Sequence, residues 1–400
     1  MARKSISGLY ERNGIWHIDK VFQGERLLGS TGTGSREEAE KYLIHLLEER
    51  RQQSTYGVRQ VRTWRDAATK YLQDFADQPS IELTATYLEQ LDPFIGETPL
   101  THIDDDALAP FVEWMKKGGG KLKSGRKKKP NSHRTINIAL QRVVRILHLC
   151  NRKWRDDKKR PWLDVVPSIS MLDERKTKRS PYPISWDEQR IFFKELPDHL
   201  HRMALFKVNT GVREQEVCKL SWDWEIEVPE LNTSVFIVPP EFGGRHDNAG
   251  VKNRDERVII LNDVAKSIID RQRLLLDDDE NEAKHIVFPY EGRALHRMND
   301  TAWRSARKRA AVAWKDEYGN EPHPGFATVR VHDLKHTFGR RLKAADVSFE
   351  DRQALLGHKS GSVTTHYSGA ELAALIGAAN RVSTTDNKTP TLTILRRKVA

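Results

Sequence analysis

Residues 331–342 read VHDLKHTFGRRL, with His332, Lys335 and His336 at i, i+3 and i+4, positions that share one face of a helix. Two histidines four apart beside an acid fit a helical zinc site of the H-E-x-x-H kind. Here the acid is Asp333 instead of Glu, and Lys335, Arg340 and Arg341 crowd the stretch with positive charge. A zinc site would need Asp333 as its base and a third ligand nearby, while Lys335 on the ligand face repels the cation. The pattern favours an anion over a metal, with His336 in a supporting place. Four further islands hold residues of the same character: NTGVREQEV (209–217), GVKNRDE (250–256), LLGHKSG (355–361) and TTHYSGAE (364–371). Each alone is weak, since an arginine after Thr-Gly is common and a lone tyrosine near a C-terminus is usually packing.

Their order is more informative. Arg213, Lys252, His332-x-x-Lys335, His358 and Tyr367 follow one another along the chain. The series resembles the tyrosine recombinase (phage integrase) family, whose pattern runs Arg, Lys, His-x-x-Arg, His or Trp, then Tyr. The resemblance covers residues 180 to 380 or so. It extends more weakly to the preceding chain, which looks like the arm-binding and core-binding modules of three-domain prophage and genomic-island integrases.

The resemblance implies a site-specific DNA recombinase that cuts and rejoins attachment sites through a 3′-phosphotyrosyl intermediate, for integration or excision of a phage or mobile element. Tyr367 would be the nucleophile, and retaining bond energy in the covalent intermediate makes ATP unnecessary. Arg213 would grip nonbridging phosphate oxygens with its planar fork. Lys252 would protonate the leaving oxygen, and His332 and His358 would donate hydrogen bonds or shuttle protons. Glu216, one turn after Arg213, either holds that guanidinium or simply solvates the helix.

Converging fixed cations and donors on a phosphate is physically sufficient for such chemistry without a cofactor or metal. The resemblance further implies double-stranded attachment sites and a homotetramer on paired sites. A host DNA-bending protein and an excisionase are expected as accessory partners. The protein would act in the cytoplasm of a bacterial host, on the nucleoid when DNA-bound.

One position departs from the family. Lys335 stands where arginine is usual, and a lysine keeps the charge but loses the bidentate fork. Either Lys335 works as a point charge with another donor supplying the lost contact, or the enzyme is slow, or the protein binds DNA with impaired or no recombination. The first reading is preferred because every other catalytic position is filled. A type IB topoisomerase-like enzyme shares the nucleophile chemistry, but the several apparent DNA-binding modules disfavour it.

The elements that must position these residues are mainly α with small β elements (α+β). Residues 1–55 form a small sheet-plus-helix module, an arm-type DNA-binding module by the resemblance. Alternating segments GIWHIDKVF and ERLLGST lead to a helix whose entry has capping-box spacing at Ser35 and Glu38. GSTGTG lacks the Walker Lys-Ser/Thr ending and reads as the exit from the sheet. Residues 60–172 form a helical core-binding domain, with helices after Thr63 and after Asn131 or Ser132.

Within it, 116–134 carries Lys116, Lys117, Lys121, Lys123, Arg126, Lys127, Lys128, Lys129 and Arg134 without an acid, a candidate phosphate-contacting loop. A charged linker at 173–184 leads into a catalytic domain at 185–380. This domain is mostly helical with a β-hairpin insertion, TSVFIVPP (233–240) and RVIIL (257–261), that holds Lys252 near its tip. Residues 370–379, AELAALIGAA, either dock on a neighbouring subunit or pack on their own domain, and 381–400 form a loose tail.

Composition agrees with a polyanionic partner. The 400 residues carry a formal net charge of +11, which favours nucleic acid before membrane. No apolar run long enough for a membrane span and no signal-peptide core occur. The two cysteines, Cys150 and Cys218, sit in apolar helical patterns and read as buried free thiols in a reducing compartment.

Overall fold

A computed structural model of the chain describes residues 8–55, 61–120, 125, 128–240, 242, 256–275, 284–357 and 368–383. It divides into two compact units, Met1–Lys178 and Arg179–Ala400. The fold is mainly α with small antiparallel sheets.

The first unit begins with strands β1 (Leu9–Arg12), β2 (Ile15–Phe22) and β3 (Glu25–Ser30) in an antiparallel meander, followed by helix α1 (Arg36–Thr55). Two-residue alternation puts Ile18 and Leu27 on the face that packs against Leu43, with Leu46 and Leu47 beside it. The cap of α1 differs from the expected reciprocal box. Ser35 accepts from the Glu38 N–H at 3.5 Å, but the Glu38 carboxylate takes the Thr33 hydroxyl.

Four helices follow: α2 (Trp64–Asp74), α3 (Ile81–Ile95), α4 (Asp105–Lys116) and α5 (His133–Arg152). Thr63 caps α2 in a full capping box with Asp66, and Ser132, not Asn131, caps α5. Trp64, Tyr71, Leu91, Phe111, Leu140 and Leu147 close a common core. Helices α3 and α4 carry internal prolines, Pro93 and Pro110, which read as breakers in the sequence; burial of Leu88, Leu91, Leu108 and Phe111 outweighs them. Both cysteines are buried and free, and burial pushes the Cys150 thiol up to about 12.

The stretch expected as a linker is hydrogen-bonded at both ends. Thr177 accepts from the His133 N–H at 2.8 Å, whereas further on Ile184 N–H donates to Thr337 Oγ1 at 3.0 Å. The second unit then runs through α6 (Trp186–Lys194), α7 (Asp198–Thr210) and α8 (Glu214–Cys218). Strands β4 (Glu225–Val228), β5 (Thr233–Val238) and β6 (Arg257–Ile260) precede α9 (Asp263–Leu274). The short hairpin β7 (Pro289–Tyr290) and β8 (Arg293–Ala294) leads to α10 (Thr301–Tyr318), α11 (Pro324–Ala327), α12 (Val331–Ala344), α13 (Phe349–Leu356) and α14 (Gly369–Asn380).

The expected hairpin is β5–β6, and β4 adds a third antiparallel strand beside β5. Capping boxes at Ser185/Glu188 and Ser368/Glu371 start α6 and α14. Helix α14 packs on its own unit. Leu375, Ala378 and Ala379 join Val235, Ile260, Leu342 and Leu355, and Asn380 exchanges hydrogen bonds with Asp263 at 2.8 and 3.0 Å. Among the described residues no helix is long and apolar enough to cross a membrane.

Candidate active site

Helix α7 ends at Gly211, whose φ of +64° is the left-handed conformation that closes helix C-termini. A side chain there would also strike Phe338, since an added Cβ would lie 2.7 Å from its ring. The turn delivers Arg213 to the start of α8. Its backbone N–H donates to Glu216 Oε2 and its Nη1 to Glu216 Oε1, both at 2.7 Å. Glu216 is only 2% exposed, so it fixes Arg213 and is not merely a solvated helix residue. Burial alone would raise its carboxyl, but Arg257 and Arg213 hold it below the usual carboxylate range.

Lys335 lies on the buried face of α12, 5% exposed. Its Nζ donates to Gly211 O at 2.8 Å and to Leu356 O. Arg213 Nη2 donates to Gly357 O at 3.3 Å. The two side chains therefore converge as hydrogen-bond donors on the C-terminus of α13, where carbonyls lack helical partners. Burial, then Arg257, pushes the Lys335 amine down to about 5. Gly357 closes α13 with φ +58°, and the next residue in the chain is His358.

His332 is exposed on the first turn of α12. Its ring meets His336 edge-on, centroids 4.9 Å apart. Desolvation, then the cations of Lys207, His336 and Lys335, hold it below the usual imidazole range. Asp333, the would-be zinc base, is spent on structure. Its carboxylate accepts from the Arg330 N–H at 2.8 Å, the Tyr182 N–H at 3.2 Å and Arg179 Nη2 at 3.2 Å. Among the described residues no three His, Cys, Asp or Glu side chains group as a metal site.

Of the sequence-derived site, the structure brings Arg213 and Lys335 together and places His332 on the same helix as Lys335. Lys252, His358 and Tyr367 lie outside the described residues, as do Lys121, Lys123, Arg126 and Lys127. Lys117, Lys128 and Lys129 are exposed. Lys116 pairs with Glu113 at 2.7 Å and Arg134 with Glu174 at 3.2 Å.

Two buried cations escaped the sequence reading. Arg257, at the start of β6 and 5% exposed, donates through Nη1 to Glu216 Oε2 and through Nη2 to Gly211 O at 3.2 Å. Its register puts it on the face of Ile259, opposite Val238; the signal was an arginine in phase with a buried strand face. Lys207, fully buried, donates to Val212 O, and burial pushes it down to about 8. It continues the apolar stripe Leu200, Met203, Ala204, so a lysine in phase with that stripe was the signal.

The model of the phage integrase family matches residues 190–372. The integrase of Salmonella phage P22 is 23% identical over 381 residues, covering 90% of each chain. Among solved structures, a lambda integrase tetramer bound to a Holliday junction aligns with a TM-score of 0.52 at 15% identity, over 92% of this chain and 99% of that one. The Tn1549 transposon integrase in complex with transposon right end DNA gives a TM-score of 0.53 at 15% identity, over 79% and 94%. The matched span contains α7, α8 and α12 with Arg213, Glu216 and Lys335, the elements that build this cluster. Through residues 190–372 the chain is similar to the phage integrase family of tyrosine recombinases, enzymes that cleave and rejoin DNA.

Proposed function

We propose that the chain is a site-specific integrase that works through a 3′-phosphotyrosyl intermediate at Tyr367. The observation that carries this reading is the convergence of Arg213 and Lys335 on the carbonyls of Leu356 and Gly357, immediately before His358 and ten residues before Tyr367. Arg213, clamped by Glu216, binds the nonbridging oxygens, and fixed donors of this kind stabilise charge without reorganising. The Tyr367 oxygen attacks phosphorus and forms the P–O bond as the bond to the 5′ oxygen breaks. The phenolic proton passes to a histidine, His332 or His358, and Lys252 protonates the departing 5′ oxygen. Reversal on a second strand, with a 5′ hydroxyl as nucleophile, rejoins the DNA.

By the same reading, residues 1–55 bind arm-type DNA, 60–172 bind core DNA through the 116–134 loop, and 185–380 catalyse. The linker is 173–184 and the tail 381–400. The protein acts on paired double-stranded attachment sites as a homotetramer, with a host bending protein and an excisionase as partners, in the bacterial cytoplasm. The lambda integrase tetramer on a Holliday junction is the precedent for the assembly.

One observation favours the reading of a DNA binder with impaired recombination. The Lys335 amine is buried, tied to two carbonyls and pushed toward its neutral form, a weaker partner for phosphate than a guanidinium. Covalent capture separates the two. The protein is incubated in EDTA with labelled DNA flanking its own gene, nicked to trap the intermediate. A denaturation-resistant adduct that Tyr367→Phe abolishes supports the integrase. DNA binding with no adduct from the native protein supports the impaired binder.

A further inference from the structure

One peptide plane delivers Arg213 to the site, and both of its polar ends are tied to buried side chains. The plane joins Val212 to Arg213. Its N–H donates to Glu216 Oε2 at 2.7 Å, and its carbonyl, Val212 O, accepts from Lys207 Nζ. A peptide unit is planar, so holding its N–H and its C=O on opposite edges fixes the orientation of the whole plane. The Arg213 Cα lies at the edge of that plane, and the direction of the guanidinium follows from it.

Lys207 is joined to the same turn a second time, because its own backbone carbonyl accepts from the Gly211 N–H at 2.9 Å. Its side chain is fully buried, and among the described residues Val212 O is its one hydrogen-bond acceptor. Glu216 and Glu214 from α8 and Arg257 from β6 act on the amine through space. Burying an amine for a single carbonyl is costly, and an apolar side chain would continue the stripe of Leu200, Met203 and Ala204 without that cost. Val212 is itself fully buried, so without the amine its carbonyl would have neither donor nor water. The plane would turn in search of a donor, and Arg213 would turn with it.

We infer that Lys207 is a positioning residue for strand cleavage. It holds the 212–213 peptide from the carbonyl side as Glu216 holds it from the N–H side, and so aims Arg213 at the scissile phosphate. Lys207 itself acts only through Arg213. The consequence for cleavage rests on the integrase reading, whereas the pinning of the turn rests on the two hydrogen bonds alone.

The test compares four full-length proteins: native, Lys207→Met, Lys207→Leu and, as a control, Ile191→Val in the core of the same unit. Both Lys207 variants remove the amine and keep an apolar side chain. Three readouts are taken: DNA affinity, the rate of covalent adduct formation at saturating nicked flanking DNA, and deuterium uptake at 211–217 without DNA. Displacing Arg213 should slow adduct formation by about tenfold to a hundredfold while affinity, spread over the whole interface, stays within about threefold of native. Deuterium uptake should rise at 211–217 and not across the unit. Ile191→Val should melt lower than native yet form adduct at about the native rate, which separates positioning from general loss of stability. A loss of rate smaller than about tenfold in both Lys207 variants overturns the proposal. So does a loss of affinity as large as the loss of rate, or faster uptake spread evenly over the unit. If the native protein forms no adduct, the integrase reading fails and uptake at 211–217 alone decides the pinning.

Discussion

Replacing Lys335 with methionine should make the protein more stable and less able to cleave. In the unfolded chain the amine keeps its ordinary value of 10.5, while burial holds it at about 5 in the folded protein. Between those values the unfolded state binds one proton more than the native state, so this group makes native stability rise with pH across that window and weakens it most on the acid side. Each pH unit corresponds to about 1.4 kcal/mol. Lys335→Met removes the contribution.

The stability slope of the variant between pH 6 and 8 should therefore be shallower than that of native by about 1.4 kcal/mol per pH unit. At pH 7 the relief reaches at most about 5 kcal/mol, offset by about 1–3 kcal/mol for the Leu356 carbonyl that loses its donor; Gly211 O keeps Arg257. A net gain of at most about 2–4 kcal/mol follows. Urea unfolding of the full chain, read through amide protection of α12 peptides at pH 6, 7 and 8, measures both quantities. A destabilised variant whose slope matches native would refute the reasoning, because Lys335 would then be held charged by its carbonyls.

Three further perturbations probe other parts. Glu216→Gln leaves Arg257 buried without a counter-charge and should destabilise the second unit by about 3–5 kcal/mol; a loss below about 1 kcal/mol in urea unfolding would show that the charge is balanced elsewhere. Gly357→Ala must hold φ +58° and push aside Arg257, so a loss of about 2 kcal/mol or more is expected, and a variant that melts with native would contradict that close approach. Lys128→Ala/Lys129→Ala removes two exposed cations of the 116–134 loop. The log–log salt slope of DNA affinity, followed by fluorescence anisotropy, should fall by about 2, whereas Lys116→Ala, already paired with Glu113, should change it less. An unchanged slope in the double variant would remove the loop from the DNA interface.

What the sequence made legible followed from local signals. The capping box at Ser185/Glu188, the cap at Thr63 and the apolar stripe of α5 are written in adjacent residues, and the structure realises them, whereas the box expected at Ser35/Glu38 forms on one side only. The hairpin around Lys252 was visible from alternation in 233–240 and 257–261, but its neighbour β4 was not. Four residues with Glu225 and Glu227 in them look like a polar turn, and pairing with β5 is what makes them a strand. Helices α3 and α4 were obscured by Pro93 and Pro110 because tertiary burial, which the local pattern does not contain, decides there.

In the candidate site, Arg213 and Lys335 were found by their order along the chain. Arg257 and Lys207 were missed because a buried cation has the same letter as a surface one. Only its phase with an apolar stripe or strand face separates the two, and that phase gains meaning once the partner, Glu216 or the Val212 carbonyl, is in place.

The central claim is that Tyr367 becomes covalently joined to DNA, and the most direct measurement is the mass of the joined peptide. The trapped adduct is digested with trypsin and nuclease, and peptide 360–381, in which Tyr367 is the single tyrosine, is sequenced by tandem mass spectrometry. The account predicts a nucleotide phosphate on that peptide with fragment ions that localise it to Tyr367, in EDTA and without ATP. A nucleotide phosphate localised to any other residue, or efficient DNA rejoining with peptide 360–381 unmodified throughout, would contradict it.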